Sequence, residues 1–211
     1  MVHNRRLKKA YRLLTGRKGF SLAELLLAVL ILTLSTSILT ATVALALSRY
    51  HKSTQLSAAQ ELCAALSSYV ETELSHAKVT VEEDGKIKHD EDGKFVFNSD
   101  AHNFGPGAHF VIVDKSGIDH NVSETTLENN SGIYGRVCEQ SILYHSPPYN
   151  IAGEGAYRGK NGSYEILAGM SIKFKDGAFK AHIQIVDGDG NILSENYILA
   201  VPIRVDMMAA H

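Results

Sequence analysis

A single carboxylate stands at the edge of the most apolar stretch of this chain. Glu24 closes the short run that begins at Gly19 and Phe20, and residues 25–47 after it carry no charged side chain. An uncompensated charge in the middle of a bilayer costs on the order of 2.5–3.5 kcal/mol. Glu24 therefore needs a cationic partner, and the attraction is strong because screening is weak in lipid.

A second group of acids could bind a cation. The run Asp187-Gly188-Asp189-Gly190-Asn191 places oxygen ligands at alternate positions, as the opening of a calcium loop does. An EF-hand loop would have Gly where Ile192 stands, and the required terminal Glu is not at the right spacing. The same run suits a hairpin turn, which is the interpretation we favour over calcium binding.

The two cysteines leave two alternatives open. Cys63 and Cys138 lie 75 residues apart, without the spacing of a metal site. Outside the cytoplasm they could form one disulfide between a helix and a sheet, or they could remain two separate buried thiols. The ten histidines are scattered, and the sequence has no zinc-protease, nucleophile-elbow or nucleotide-binding glycine motif. We therefore expect no catalysis, no metal and no cofactor.

The element that would hold Glu24 is a long apolar helix behind a basic leader. Residues 1–19 carry seven Lys or Arg and no acid. The stretch Phe20–Leu47 has 28 residues, about 42 Å as a helix with a rise of 1.5 Å per residue, which is enough to cross a bilayer. The positive-inside tendency places the leader in the cytoplasm and the rest of the chain outside.

The charge balance excludes one class of partner. The whole chain has a formal charge of −2, but removing residues 1–19 leaves 14 basic and 23 acidic side chains, a net charge of −9. Nucleic-acid binding calls for a basic face, so we expect no nucleic-acid partner.

Two other kinds of amino-terminal segment are alternatives to consider for the basic leader and the apolar helix. A secretory signal peptide would cut after small residues, and Ala44-Leu45-Ala46 offers such a pattern. Its apolar core would, however, have only about 7–15 residues, and Glu24 would interrupt the start of that core. A plain single-pass anchor explains the length, but it gives Gly19, Phe20 and Glu24 no role.

Residues 16–47 resemble the type III signal of type IV prepilins and pseudopilins. The resemblance implies that a prepilin peptidase cuts between Gly19 and Phe20 and that Phe20 becomes the N-methylated first residue. Glu24 is then the fifth mature residue, which in that family pairs with the new α-amine of a neighbouring subunit. Many pilins carry a Pro in the apolar segment, whereas the first Pro here is Pro106. We therefore expect a helix without a proline kink.

The apolar pattern continues beyond the membrane segment. Residues 48–78 contain neither Pro nor Gly, and apolar side chains recur every three or four residues: Leu56, Ala59, Cys63, Leu66, Val70, Leu74 and Ala77. This apolar stripe predicts an amphipathic helix with one face to bury. The acids Glu61, Glu71 and Glu73 fall off the stripe. Residues 20–78 are thus predicted to form one helix.

From Val79 onward the pattern is that of short strands and turns. We predict strands at 79–81, 86–88, 94–97, 109–113 and within 132–144, with loops at 114–130 and 146–162. The last third predicts an antiparallel meander of 164–174, 179–186 and 192–205. The fold class is α+β, a long N-terminal helix packed on an antiparallel sheet, as in pilins. The divisions are 1–19 leader, 20–47 transmembrane, 48–78 amphipathic helix and 79–211 head.

These features predict a structural subunit rather than an enzyme. The resemblance implies a minor pilin or pseudopilin of a type IV pilus, a competence filament or a type II secretion-like filament. Its partners would be other subunits, the prepilin peptidase and membrane lipid, with the head outside the cytoplasm of a bacterial cell. The alternative is a membrane-anchored binding domain that does not polymerise. A secreted enzyme has no supporting group of residues.

Overall fold

The computed structural model describes residues 21–81, 97–99, 105–127, 132–141, 147–159 and 162–207. The chain divides into two compact units, Met1–Tyr50 and His51–His211, and one long helix contributes to both. The predicted strand 86–88 and most of 94–97 lie outside the described residues, as do Gly19 and Phe20.

Helix α1 spans Leu22–Ser75 and contains no Gly or Pro, so it runs for 54 residues without a residue that would break it. The sequence predicted that the helix would continue to residue 78, which is wrong by three residues. Strand β1, Ala77–Val81, begins almost at once, and its side chains at Ala77, Val79 and Val81 are buried. The alternation of buried and open positions in a Val-rich segment favours a strand over a last helical turn.

The strands form two sheets rather than the single sheet that the sequence predicted. The larger sheet has the order β10-β1-β2-β3-β5-β6, with β4 added to β3, and the smaller sheet has the order β7-β8-β9. The bounds are β2 Phe97–Ser99, β3 Gly105–Val113, β4 Asp119–Asn121, β5 Arg136–Ser141, β6 Tyr149–Asn150, β7 Ile166–Lys175, β8 Ala178–Asp187, β9 Ile192–Ala200 and β10 Arg204–Met207.

The predicted meander is confirmed in β7, β8 and β9, which pair antiparallel along almost their whole length. The turn between β7 and β8 has two residues, Asp176 at φ 59° and Gly177 at φ 80°. A two-residue hairpin of type I′ requires positive φ at both positions, which Asp tolerates and Gly adopts readily. The Asp-Gly signal in the sequence therefore specifies this hairpin.

The last predicted strand, 192–205, is two strands in two different sheets. Strand β9 ends at Ala200, and β10 pairs parallel with β1 with Val79 opposite Val205. Pro202 lies between them, and a proline has no N–H to give to a continuing ladder. The larger sheet is thus mixed, which corrects the expectation of a purely antiparallel sheet.

Three short elements differ from the predicted loops and strands. Strand β4 lies inside the predicted loop 114–130, and β6 with a 3-10 helix at Glu154–Ala156 lies inside the predicted loop 146–162. Within 132–144 the described residues form one strand, β5. The two missed strands are two or three residues long and mostly polar, so they leave no alternating apolar pattern in the sequence.

The core of the second unit lies between the carboxyl-terminal part of α1 and the two sheets. The apolar stripe is buried from Ala59 onward, while Leu56 at its start is 42% exposed. On the sheets the buried side chains include Phe110, Ile166, Met170, Ile183 and Ile185. Ser67 on α1 accepts a hydrogen bond of 2.9 Å from Asn196 of β9. The amphipathic helix thus buries one face against strands, as its periodicity predicted.

A glycine joins the two sheets. Gly135 and Ala168 exchange two backbone hydrogen bonds of 2.9 Å as an isolated antiparallel bridge. A Cβ at position 135 would lie 2.1 Å from the carbonyl oxygen of Val113. Only glycine fits so close an approach of two backbones.

Candidate functional site

The amino end of α1 is closed by a reciprocal pair of hydrogen bonds. The backbone N–H of Ser21 donates to Glu24 Oε2 at 2.9 Å, and the N–H of Glu24 donates to Ser21 Oγ at 3.2 Å. This arrangement is a capping box, in which a Ser at the N-cap and a Glu three residues later satisfy two free donors of the first turn. The Ser-x-x-Glu spacing is visible in the sequence, and our interpretation of Glu24 as an assembly residue overlooked it.

Glu24 therefore already has a role within one copy of the chain. Its carboxylate lies in the first turn, where the helix dipole favours a negative charge. The bonded N–H belongs to Ser21, the residue after Phe20. Gly19 and Phe20, the predicted cleavage and methylation positions, lie outside the described residues.

The helix beyond Glu24 presents apolar side chains on all sides. Every residue from Ser21 to Tyr50 is exposed, including Leu32 at 67% and Ile38 at 68%. An exposed apolar surface of this length marks contact with a membrane or with another protein. Within the described part of the chain, α1 is the one helix long and apolar enough to cross a membrane.

Hydroxyl groups in this segment are satisfied internally. Each of six side chains donates to a carbonyl oxygen three or four residues earlier: Thr33, Ser35, Thr36, Ser37, Thr40 and Thr42. A hydroxyl bonded in this way leaves no polar donor open to lipid. The Ser and Thr content of the helix is therefore compatible with a membrane segment.

A pair of buried carboxyl groups lies in the head, and the sequence did not predict it. Glu73 of α1 and Glu139 of β5 are both fully buried. Tyr69, one helical turn before Glu73, donates its hydroxyl hydrogen bond to Glu139 Oε2 at 2.7 Å. All three acids of this part of α1 fall off the apolar stripe in the sequence, yet only Glu61 and Glu71 are exposed and Glu73 is buried.

Burial changes the acidity of this group of residues. Loss of hydration raises the pKa of Glu139, the hydrogen bond from Tyr69 lowers it, and the nearby Glu73 raises it, with a net value of about 7. Burial, with the acceptor Glu139, also raises the pKa of the Tyr69 hydroxyl far above its usual value. Together these residues connect α1 with β5.

The two cysteines are free thiols in separate places. Cys63 lies on the stripe of α1 in the main core, whereas Cys138 packs with Val111 and Val113 in a second buried cluster. The Cys138 thiol donates to Asn150 Oδ1 at 3.0 Å, and burial raises its pKa to about 11. Residues 137 and 138 of β5 point to opposite faces, so Cys138 faces away from the core that holds Cys63. The disulfide considered above is not formed in this structure.

The Asp187 loop has the geometry of a turn. Asp187 Oδ1 accepts hydrogen bonds from the N–H groups of Asp189 and Asn191 at 3.0 and 2.9 Å, and the Asn191 side chain donates to the same carboxylate. These bonds lower the pKa of Asp187, the Asn191 side chain most of all. Among the described residues, no group of three His, Cys, Asp or Glu side chains could hold a metal ion. The Asp187 carboxylate therefore stabilises the turn that connects β8 and β9.

A cleft of about 320 Å³ lies where the two sheets approach each other. Its charged side chains pair with one another: Arg136 with Glu154 at 2.6 Å and Lys115 with Glu165 at 2.8 Å. The Tyr157 hydroxyl in its wall accepts a hydrogen bond from the Val137 N–H at 3.1 Å. Pairing of this kind holds the loops of the cleft in place.

Comparison of the chain with protein-family models, with curated proteins and with solved structures gives no match in any of the three.

Proposed function

We propose that this chain is a structural subunit, of the minor pilin or pseudopilin kind, in a type IV pilus, competence or type II secretion-like filament. The observation that carries the proposal is α1 itself. It is one unbroken helix whose first half is uncharged after Glu24 and exposed on all sides, and whose second half packs into a folded head. A helix of this kind suits storage in lipid followed by burial among the helices of a filament.

In this proposal the prepilin peptidase cleaves after Gly19 and Phe20 is methylated. The new α-amine of one subunit then meets Glu24 of the next, and the pair replaces two separate charges that lipid would disfavour. The chain is a substrate of the peptidase and carries out no chemistry of its own. The head lies outside the cytoplasm, and the leader stays inside.

Mass spectrometry of the mature amino terminus is the direct test. We expect a chain that begins with N-methylated Phe20 when the gene is expressed together with a prepilin peptidase. A mature chain that begins near Leu47 would instead indicate a secretory signal peptide. An uncut chain that retains residues 1–19 in the presence of an active peptidase would also contradict the proposal.

Glu24 allows a sharper test because its two roles can be separated. In Glu24→Gln the amide can still accept the Ser21 hydrogen bond of the capping box, but the negative charge is gone. We expect this variant to enter the membrane and to be processed normally, while filament yield falls at least tenfold. Glu61→Gln, an exposed acid on the same helix, is the matched control and should leave filament yield unchanged.

The alternative is an anchored domain that binds a ligand without polymerising, with the cleft of about 320 Å³ as its site. It predicts that Glu24→Gln leaves function intact and that cleft variants abolish it. Filament yield equal to wild type in Glu24→Gln would favour this alternative over a filament subunit.

A further inference from the structure

The carboxyl-terminal edge of the head carries an exposed apolar row. Every second side chain from β9 into β10 is apolar and exposed: Tyr197 (70%), Leu199 (63%), Val201 (67%), Ile203 (66%) and Val205 (40%). We call these five residues the edge row. Alternate residues of a strand point to the same face, so Tyr197 and Leu199 lie together on the outer face of β9. Val201 and Ile203 follow in the segment between β9 and β10, and Val205 lies beside the buried Val79 in the ladder with β1.

Three of the four residues between them are apolar, and the fourth, Arg204, is exposed and pairs with Asp206 at 2.7 Å. Ile198, Ala200 and Pro202 are buried and point to the core side. A strand at the edge of a sheet is normally polar on its open side and is protected by charges. Apolar side chains on both faces are typical of a strand that is covered on both faces. Among the described residues, however, no strand pairs with the free side of β9 or of β10.

Lysines border the edge row on the outer face of the smaller sheet. Lys180 of β8 lies directly across from Leu199 in the ladder, and Lys173 lies across from Lys180. A shallow cleft of about 410 Å³ joins these two lysines to Tyr197 and Leu199. Lys173 pairs with Glu124 at 2.9 Å, and the exposed Lys180 is left without such an acid in the described part of the chain.

We propose that the edge row, with its border of lysines, docks against an acidic surface of a second copy of this chain. The proposal rests on the filament function above and names the head-to-head contact of that filament. Without residues 1–19 the chain has 23 acidic and 14 basic side chains, so a neighbouring copy has a net charge of −9 and offers more acidic than basic side chains for contact. An apolar strip with a basic border is complementary to such a surface.

The charges also determine the symmetry of the contact. If the edge row met the same row of another copy, Lys180 of both copies would come together in one interface, and the like charges would repel. Contact with a different, acidic surface avoids this repulsion. In a pair formed by such a heterologous contact, one copy still has a free edge row and the other still has a free acidic surface. The contact can therefore repeat into a ring or an open filament.

A polypeptide fits the edge row better than a lipid surface does. The free side of an edge strand presents backbone N–H and C=O groups, and hydrocarbon cannot satisfy them. A neighbouring chain can accept and donate those hydrogen bonds while covering the apolar side chains.

Site-directed photo-crosslinking of the full chain tests the proposal. A benzophenone amino acid replaces Leu199, and chains labelled with ¹⁴N and with ¹⁵N are mixed in a mild detergent before irradiation. The control position is Ile118, which is 57% exposed in the turn between β3 and β4. We expect Leu199 to give at least five times more crosslinks between copies than Ile118, with acceptor peptides rich in Asp and Glu.

A charge reversal completes the test. Lys173→Glu with Lys180→Glu should reduce crosslinking from Leu199 at least fivefold, while Arg158→Glu, an exposed basic residue elsewhere on the head, should leave it unchanged. Crosslinks to detergent, lipid or another protein alone, acceptor peptides from the edge row itself, or a yield equal to that from Ile118 would overturn the proposal. Methylated Phe20 together with such a result would leave the filament function standing and remove only this contact.

Discussion

Glu139 shows how one buried side chain can make the stability of the head depend on pH. The carboxyl group is fully buried in β5, with Tyr69 as its hydrogen-bond donor and Glu73 nearby. Burial favours the neutral form, because an ionised carboxylate loses its hydration there. The protonated acid is therefore the form that the folded head accommodates best.

The pH range of the effect follows from the two pKa values. Burial raises the pKa of Glu139 from 4.5 to about 7 in the folded chain, and the unfolded chain keeps the lower value. The unfolding free energy is then highest below about pH 4.5 and falls as the pH rises toward 7. The total loss is up to about 3 kcal/mol for this group. Above pH 7 the dependence on this residue levels off.

The variant Glu139→Gln tests this dependence. A neutral amide keeps the shape of the acid and cannot ionise, so we expect the fall in unfolding free energy between pH 5 and pH 8 to shrink by about 1–3 kcal/mol. Urea unfolding of the detergent-solubilised chain, followed by tyrosine fluorescence, measures the difference. Glu71→Gln, an exposed acid on α1, is the control. A pH profile of Glu139→Gln that matches the wild type would contradict this assignment.

At the scale of elements, the hairpin between β7 and β8 depends on one backbone conformation. Gly177 has φ 80°, and no atom lies within 4 Å of the place where a Cβ would stand, so only the conformation limits substitution. In Gly177→Ala we expect a loss of about 1–2 kcal/mol of unfolding free energy, the cost of a left-handed conformation for a residue with a Cβ.

Gly188 in the next turn is the matched control for this loss. It has the same open space where a Cβ would stand, and its φ is not positive. Gly188→Ala should therefore change the unfolding free energy by less than about 0.5 kcal/mol, as surface substitutions usually do. Equal losses of unfolding free energy in both variants, measured by urea unfolding, would show that the left-handed conformation at Gly177 is not the cause of the loss.

Short-range sequence signals predicted helix α1 and the hairpin between β7 and β8 well. The period of the apolar stripe gave the buried face of α1 from Ala59 to Leu74, and Asp176-Gly177 gave a hairpin at the right position. The sequence also contained Ser21 and Glu24 at capping-box spacing, which explains the start of the helix at Leu22. Each of these signals lies within a few residues of the structure it specifies.

Features that depend on distant residues could not be predicted from the sequence. The parallel pairing of β1 with β10 joins Lys78 to Arg204, and no local pattern records it. The burial of Glu73 depends on which strand α1 meets, because the helix alone would leave this acid at the side of the stripe. The separation of the two cysteines likewise follows from the face on which β5 places Cys138.

At the scale of the whole molecule, the distribution of charge along the chain predicts its direction across a membrane. Seven basic side chains precede the apolar helix, and Arg49 and Lys52 follow it. Since Lys and Arg resist transfer across the membrane, the more basic side stays in the cytoplasm. The excess on the leader side predicts an extracytoplasmic head.

Removing the excess of basic side chains on the leader side should remove the preference for an extracytoplasmic head. In the test variant five basic leader residues are replaced by Gln: Arg5, Arg6, Lys8, Lys9 and Arg12. Arg17 and Lys18 remain beside the proposed cleavage position, so two basic residues stand on each side of the apolar helix. We expect a head that proteinase K degrades almost completely in wild-type bacterial spheroplasts and a protected fraction of about one half in the variant.

The reverse change separates orientation from other effects of the leader. Adding Arg49→Gln and Lys52→Gln to the leader variant restores the excess on the leader side, so the head should again become accessible to the protease. Rescue of this kind cannot come from better recognition by a peptidase, because Arg49 and Lys52 lie beyond the whole apolar segment. Heads that stay equally accessible in all three chains would mean that the apolar helix enters the membrane without regard to its flanking charges.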